Sequence, residues 1–121
     1  MYLTKSIDYE NKKFQMVGLF DAATKIQKKL KLNYTKAIIS NDCLIGKASR
    51  TIQGQEFHFS ELELVPKDFK FAYDLSIGIG IKNNKDGLMQ YNTLASYTHM
   101  HFSRPDMAKN FVRNCIKYSK R

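Results

Sequence analysis

A chain of 121 residues with a formal net charge of +9, 43% apolar and 26% charged residues has room for one domain with a core of ordinary composition. No apolar run approaches the roughly 18 residues of a membrane helix, no leader opens the chain, and two cysteines make no disulfide framework. A reducing, cytoplasmic compartment without a membrane partner is therefore expected. The positive charge invites an anionic partner, but no nucleic-acid-binding motif accompanies it or the seven tyrosines, so nucleic acid is not expected.

In chain order, Leu3 and Ile7 share a helical face, so Met1 to Ile7 are read as the tail of a helix. Phe14 to Gly18 read as a short strand. Asp21 then caps a predicted helix over 21–32 whose buried stripe is Ala23, Ile26 and Leu30, with Lys25 to Lys31 on its solvated face. Lys36 to Ile39 form another short strand. Arg50 to Phe59 alternate as a strand with a kink at Gly54, and Phe69 to Ile81 supply one more. Gly78-Ile-Gly80 is not a dinucleotide fingerprint, since no helix follows and the third glycine is missing. No phosphate loop of the Walker type is present, and no repeat or linker divides the chain.

The segment from Gly87 to Cys115 is the most informative. Asn83-Asn-Lys-Asp86 and Gly87 are turn chemistry, and Leu88 to Tyr97 read as a strand entered through a hairpin. After Phe102 the period changes. Ser103 is a capping residue, Pro105 suits a first helical turn and Asp106 favours the positive end of the dipole, which predicts a helix over 104–118. Met107, Ala108, Phe111, Val112, Cys115 and Ile116 would be its buried stripe.

Two histidines at the end of that strand, His99 and His101, point to one face in an extended chain, and Glu56 with His58 form a second pair at the same spacing. Two such pairs would make a zinc site only if their strands met in the right register, and strand histidines are more often packed than ligated, so no metal is expected. A histidine base needs a nucleophile within hydrogen-bond reach. Cys115 falls on the apolar stripe of the last helix and Cys43 lies in a loop without the strand, sharp turn and helix that present a thiolate. Both are read as structural.

Asp86-Gly87, then Asn92-Thr-Leu-Ala-Ser-Tyr-Thr-His-Met-His-Phe-Ser-Arg-Pro105, and then Ala108, Phe111, Val112 and Cys115 resemble the terminal signature of cobyrinic acid a,c-diamide synthases. Gly54-Gln-Glu-Phe-His-Phe-Ser60 resembles that family's Gly-x-Glu-Phe-His-Tyr-Ser segment, and Met16-Val-Gly-Leu-Phe20 with Lys29-Leu30 resembles the region after its nucleophile helix. Related cobyric acid synthases carry a similar Tyr-x-His arrangement. The resemblance implies an α/β fold, the C-terminal half of a class I glutamine amidotransferase of the Cys-His type, with a mixed sheet and flanking helices.

It also implies roles. His99 matches the histidine that shuttles protons for a cysteine on a Cys-Gly-Gly turn, while His101, Tyr97, Glu56 and His58 match supporting positions. In the family that turn stands just before a stretch similar to Met1-Tyr-Leu3, so residues 1–121 correspond to a partial amidotransferase domain without the nucleophile and without the domain that binds ATP and Mg. No cofactor is expected on this chain. Glutamine and a tetrapyrrole are the family's partners, and the preceding part of the domain, or a second copy, is the expected companion of this one. On its own the chain would be inactive, or a catalytically dead binding or oligomerisation module.

Overall fold

A computed structural model describes residues 1–121. The chain runs β1 (Thr4–Tyr9), β2 (Lys12–Gln15), β3 (Phe20–Ile39), β4 (Thr51–Glu63), β5 (Lys70–Ile77), β6 (Lys85–Gln90), β7 (Thr93–Ala95), β8 (Thr98–His99) and α1 (Pro105–Ser119). All strands join one sheet in the order β2-β1-β3-β5-β6-β7, with β4 on the other edge of β3 and β8 on β4. The sheet is mixed because β1 and β3 are parallel while the remaining pairs are antiparallel.

The fold is organised by β3, which is 20 residues long. One edge of it takes β1 along its first part and β5 along its last, and the other edge takes β4 along most of its length. The helix expected over 21–32 is therefore strand, and Lys36–Ile39 is its far end. Ala22, Ala23 and Thr24 are all buried between flanking strands, and the backbone groups of this stretch are shared across two ladders. Helix propensity is a weak preference, and ladder pairing on both sides outweighs it. The lysine run is not a helix face either. Ile26 pairs with Ser60 and Lys31 with His58, so Gln27-Lys-Lys-Leu30 bulges away from β4.

Met1 to Ile7 do not form a helix: Thr4 and Ser6 alternate inward with Lys5 exposed, the period of a strand. A few residues of helix would be marginal by themselves, whereas here β2 and β3 supply ladder partners on both sides. Asn83 and Asn84 both take positive φ (51° and 57°) between the bridged Lys82 and Lys85, the backbone of a two-residue hairpin turn. The strand read over 88–97 is broken by a second tight turn, with Tyr91 at φ 52°, into β6 and β7.

The core lies on one face of the sheet. Ala37 and Ile39 of β3, Ile52 of β4 and Ala72, Tyr73 and Leu75 of β5 pack with Ile45 from the 40–50 loop and Met107 of α1. A single helix is present instead of the flanking pair expected, and it docks lightly. Met107 alone of the predicted stripe is buried, while Phe111, Val112, Cys115 and Ile116 are exposed. Its start is one residue late and uncapped by Ser103: Arg104 holds the N-cap position without a side-chain bond, and Pro105 opens the first turn. Asn114 ties α1 back to the 40–50 loop by donating to the Leu44 carbonyl at 3.0 Å.

The opposite face has no second layer. Leu32 (59% exposed) sits across from Phe57 (52%), Tyr34 (83%) across from Gln55, and Ile38 and Phe59 are exposed on the same side. No helix is long and apolar enough to cross a membrane.

Candidate active site

Strand alternation decides where each predicted site residue goes. On β4, residues 52, 56, 58 and 60 face the core and 53, 55, 57 and 59 face out. β8 adds to this edge with Thr98 opposite Glu56 and His99 opposite Gln55. Thr98 is accordingly buried and His99 exposed. The imidazole of His99 thus stands at a strand end on the open apolar face, beside Gln55 and the Tyr34 that pairs with it.

Glu56, His58 and Tyr97 gather on the other side of the same strands. Glu56 is 0% exposed and accepts three hydrogen bonds, Oε1 from the Ile79 amide (2.7 Å) and Asn33 Nδ2 (3.1 Å) and Oε2 from the Gly80 amide (3.1 Å), while His58 Nε2 lies 3.3 Å from Oε2. Burial pulls this carboxyl upward, but the two amides, His58 and Asn33 together outweigh it and leave it below the ordinary glutamate range. His58 Nδ1 donates to the Ser60 carbonyl at 2.7 Å, and the ring stacks on Tyr97 with centroids 3.8 Å apart and planes 10° from parallel. The Tyr97 hydroxyl bonds Ser60 Oγ at 2.9 Å. Burial, with the Ser60 bond pulling the other way and the Asp86 and Glu61 charges adding to it, pushes the Tyr97 phenol up to about 12, so it is uncharged at neutral pH.

The five residues grouped by sequence therefore separate into a brace of buried Glu56 and His58 with half-buried Tyr97, and an exposed imidazole, His99. His101 falls outside both. β8 ends at His99, so the same-face relation of 99 and 101 in an extended chain does not carry through, and His101 Nδ1 instead accepts the Ser103 amide at 3.1 Å in the turn before α1. The His99/His101 and Glu56/His58 pairs do not converge, and no group of three His, Cys, Asp or Glu side chains comes together to hold a metal ion.

Two residues to which the sequence assigns no site role, Asp86 and Gly54, build the approach to His99. Asp86, 0% exposed, sits where β6 passes the 96–98 segment. Its Oδ1 accepts from the Gly87 amide (2.8 Å) and the Tyr97 amide (3.1 Å), and its Oδ2 accepts from Ser96 Oγ (2.9 Å) and the Thr98 amide (2.8 Å). Gly54 lets β8 close on β4: a Cβ there would lie 2.2 Å from the His99 carbonyl oxygen. That contact is with backbone, which cannot swing aside. Gly54→Ala is expected to separate β8 from β4 and to lower stability by roughly 1–3 kcal/mol, the range of an overpacked position. The measurement is a urea melt together with amide exchange at Glu56 and Thr98, and an unchanged melt with protected amides would show that the contact is relieved elsewhere.

Neither cysteine lies on the strands that carry His99, Glu56 and His58. Cys43 is half-buried in the turn it closes with Gly46, and burial pushes its thiol up. Cys115 is exposed on α1 rather than buried in its stripe.

The CobB/CobQ-like glutamine amidotransferase domain matches residues 1–107. The chain is 44% identical over 103 residues to the cobyrinate a,c-diamide synthase of Sulfurisphaera tokodaii, covering 85% of this chain and 23% of that protein. It is 40% identical over 114 residues to the enzyme of the same name from Methanocaldococcus jannaschii, covering 93% and 25%, and 40% identical over 119 residues to that of Dehalococcoides mccartyi, again covering 93% and 25%. The chain thus spans about a quarter of the length of these curated relatives. With the mixed sheet, the imidazole at the end of β8 and a match over most of its length, this chain belongs to the CobB/CobQ-like glutamine amidotransferase domain family.

Proposed function

We propose that residues 1–121 form the histidine-bearing part of the glutaminase domain of a cobyrinate a,c-diamide synthase, with His99 as the proton carrier for a cysteine held on another segment. The observation that carries this reading is the position of His99, at a strand end on an uncovered apolar face, with the Glu56–His58–Tyr97 brace behind its strand. His101, Tyr97, Glu56 and His58 support it through the backbone rather than by contact with glutamine.

The chemistry follows from one imidazole. His99 takes the thiol proton, the thiolate attacks the carboxamide carbon of glutamine, and the imidazolium returns the proton to nitrogen as the C–N bond breaks and ammonia leaves. Water deprotonated by the same ring then opens the thioester to glutamate and restores the thiol. In the whole enzyme the ammonia would amidate carboxylate side chains of a tetrapyrrole activated by ATP, in the cytoplasm. Gly78-Ile-Gly80 leads into the Asn83-Asn84 hairpin rather than the helix N-terminus that would cradle a phosphate, which supports assigning ATP and Mg to another part of the whole enzyme.

The uncovered face supports a second reading, a binding or oligomerisation module without catalysis, because exposed Leu32, Tyr34, Phe57 and Phe59 favour a covering partner or a second copy. One experiment separates the two. The chain alone is expected to release no ammonia from glutamine, whereas the chain joined to a segment bearing the cysteine turn is expected to do so, with the open face protected from solvent exchange. Release by the isolated chain, or none from the joined protein that sizing shows to be assembled, would overturn the first reading.

A further inference from the structure

We infer that Asp86 is a positioning residue for His99, holding the strand that carries the imidazole in its working register. The inference rests on the glutaminase reading and adds to it a residue that does not touch glutamine or the thiol. Three of the four bonds that Asp86 accepts come from Ser96, Tyr97 and Thr98, the three residues immediately before His99. Both backbone amides of residues 97 and 98 end on this one carboxylate, and the Ser96 hydroxyl also approaches the Thr98 amide at 3.0 Å. A short strand of two residues has few ladder bonds of its own, so its register depends on what is anchored just before it.

The geometry has a second element. Thr98 turns its side chain to the core opposite Glu56, and this is what sends the His99 ring outward. A slip of one residue would exchange the two and bury the imidazole. The carboxylate fixes that parity because its two oxygens accept from the amides of consecutive residues: an amide in its place presents one acceptor and one donor, leaving a backbone N–H opposed to an NH₂. Gly87 fits the same plan, since its φ of 74° lets its own amide turn back onto Asp86 and since a Cβ there would collide with Tyr73.

Asp86→Asn, Ser96→Ala and Ser96→Thr, made in the protein joined to its cysteine-bearing segment, test this. Asp86→Asn is expected to lower kcat for glutamine hydrolysis by about 100-fold, the usual consequence of an ångström-scale misplacement of a reacting group, with KM for glutamine unchanged. Ser96→Ala should give a smaller loss that Ser96→Thr, which keeps the hydroxyl, restores. Amide exchange at Tyr97 and Thr98 should rise in Asp86→Asn while that of Ala37, Ile52 and Leu75 stays as in the parent. A kcat loss that merely follows a uniform rise in exchange across the core would make Asp86 structural only and overturn the inference. His99→Ala is the control: full activity in that variant would defeat the glutaminase reading itself, and full activity in Asp86→Asn alongside an inactive His99→Ala would defeat only the role assigned to Asp86.

Discussion

Glu56→Ala is expected to destabilise the chain by about 3–5 kcal/mol, the cost of removing one side of a buried, charged hydrogen-bond group. The loss comes from the donors left behind. The Ile79 and Gly80 amides lie in the turn between β5 and β6, Asn33 is on β3 and His58 is on β4 with Glu56 itself, so a single carboxylate ties two strands to a turn. Each of these donors would lose its partner in a place that water reaches poorly. Glu56→Gln should cost less, because an amide oxygen placed at Oε1 still accepts from Ile79 and Asn33, whereas the NH₂ at the other position opposes the Gly80 N–H. Urea unfolding of the two variants measures the difference, and a loss of under 1 kcal/mol for the alanine variant would mean that these donors find other acceptors.

The same group sets a pH dependence with a definite sign. Its folded-state pKa lies below that of the unfolded chain, for which about 4.3 is ordinary. The unfolded state therefore binds the proton more readily, the stabilisation is present in full above that value, and it is lost as pH falls through about 4 and below. Unfolding free energy measured from pH 7 downward should fall more steeply for the parent than for Glu56→Gln, which has no proton to gain there. Parallel slopes would place the acid sensitivity in other carboxylates.

The second large effect is on activity rather than stability. In the protein joined to its cysteine-bearing segment, His99→Ala is expected to reduce glutamine hydrolysis by roughly 10²–10⁴-fold, the usual worth of a positioned general acid–base group. The melt should shift by no more than about 0.5 kcal/mol, since His99 is exposed and its ladder contact with Gln55 is made by backbone that alanine keeps. That contrast is the diagnostic: Glu56 acts on the fold and His99 on the reaction, although they are close neighbours across a two-strand ladder. In the whole enzyme, amidation supplied with ammonium salt in place of glutamine should be spared in His99→Ala. A variant that hydrolyses glutamine at the parental rate would remove the imidazole from the mechanism.

Much of the distal part was legible because local signals there agree with the tertiary structure. Alternation over Arg50 to Phe59 became β4, the Asn83-Asn84 pair made the expected turn, and Pro105 opened α1. The proximal part was misread where local and long-range terms conflict. Ala23, Ile26 and Leu30 have helical spacing, yet β1, β4 and β5 offer β3 backbone partners along both edges. Spacing within one segment carries no information about strands that are distant in sequence.

The candidate site divides along the same line. Residue types and their order were enough to propose His99 as the proton carrier and to group Tyr97, Glu56, His58 and His101 with it, although only the first three of these gather behind its strand. The chain order could not say that Thr98 and His99 lie opposite Glu56 and Gln55, and that pairing alone puts the imidazole on the open face and the glutamate in the core. Nor could it single out Asp86 and Gly54, whose importance lies in amides and a carbonyl brought to them from segments remote in the chain. Identity of side chains is local information, whereas register and burial are properties of pairs of strands, and only the assembled sheet supplies them.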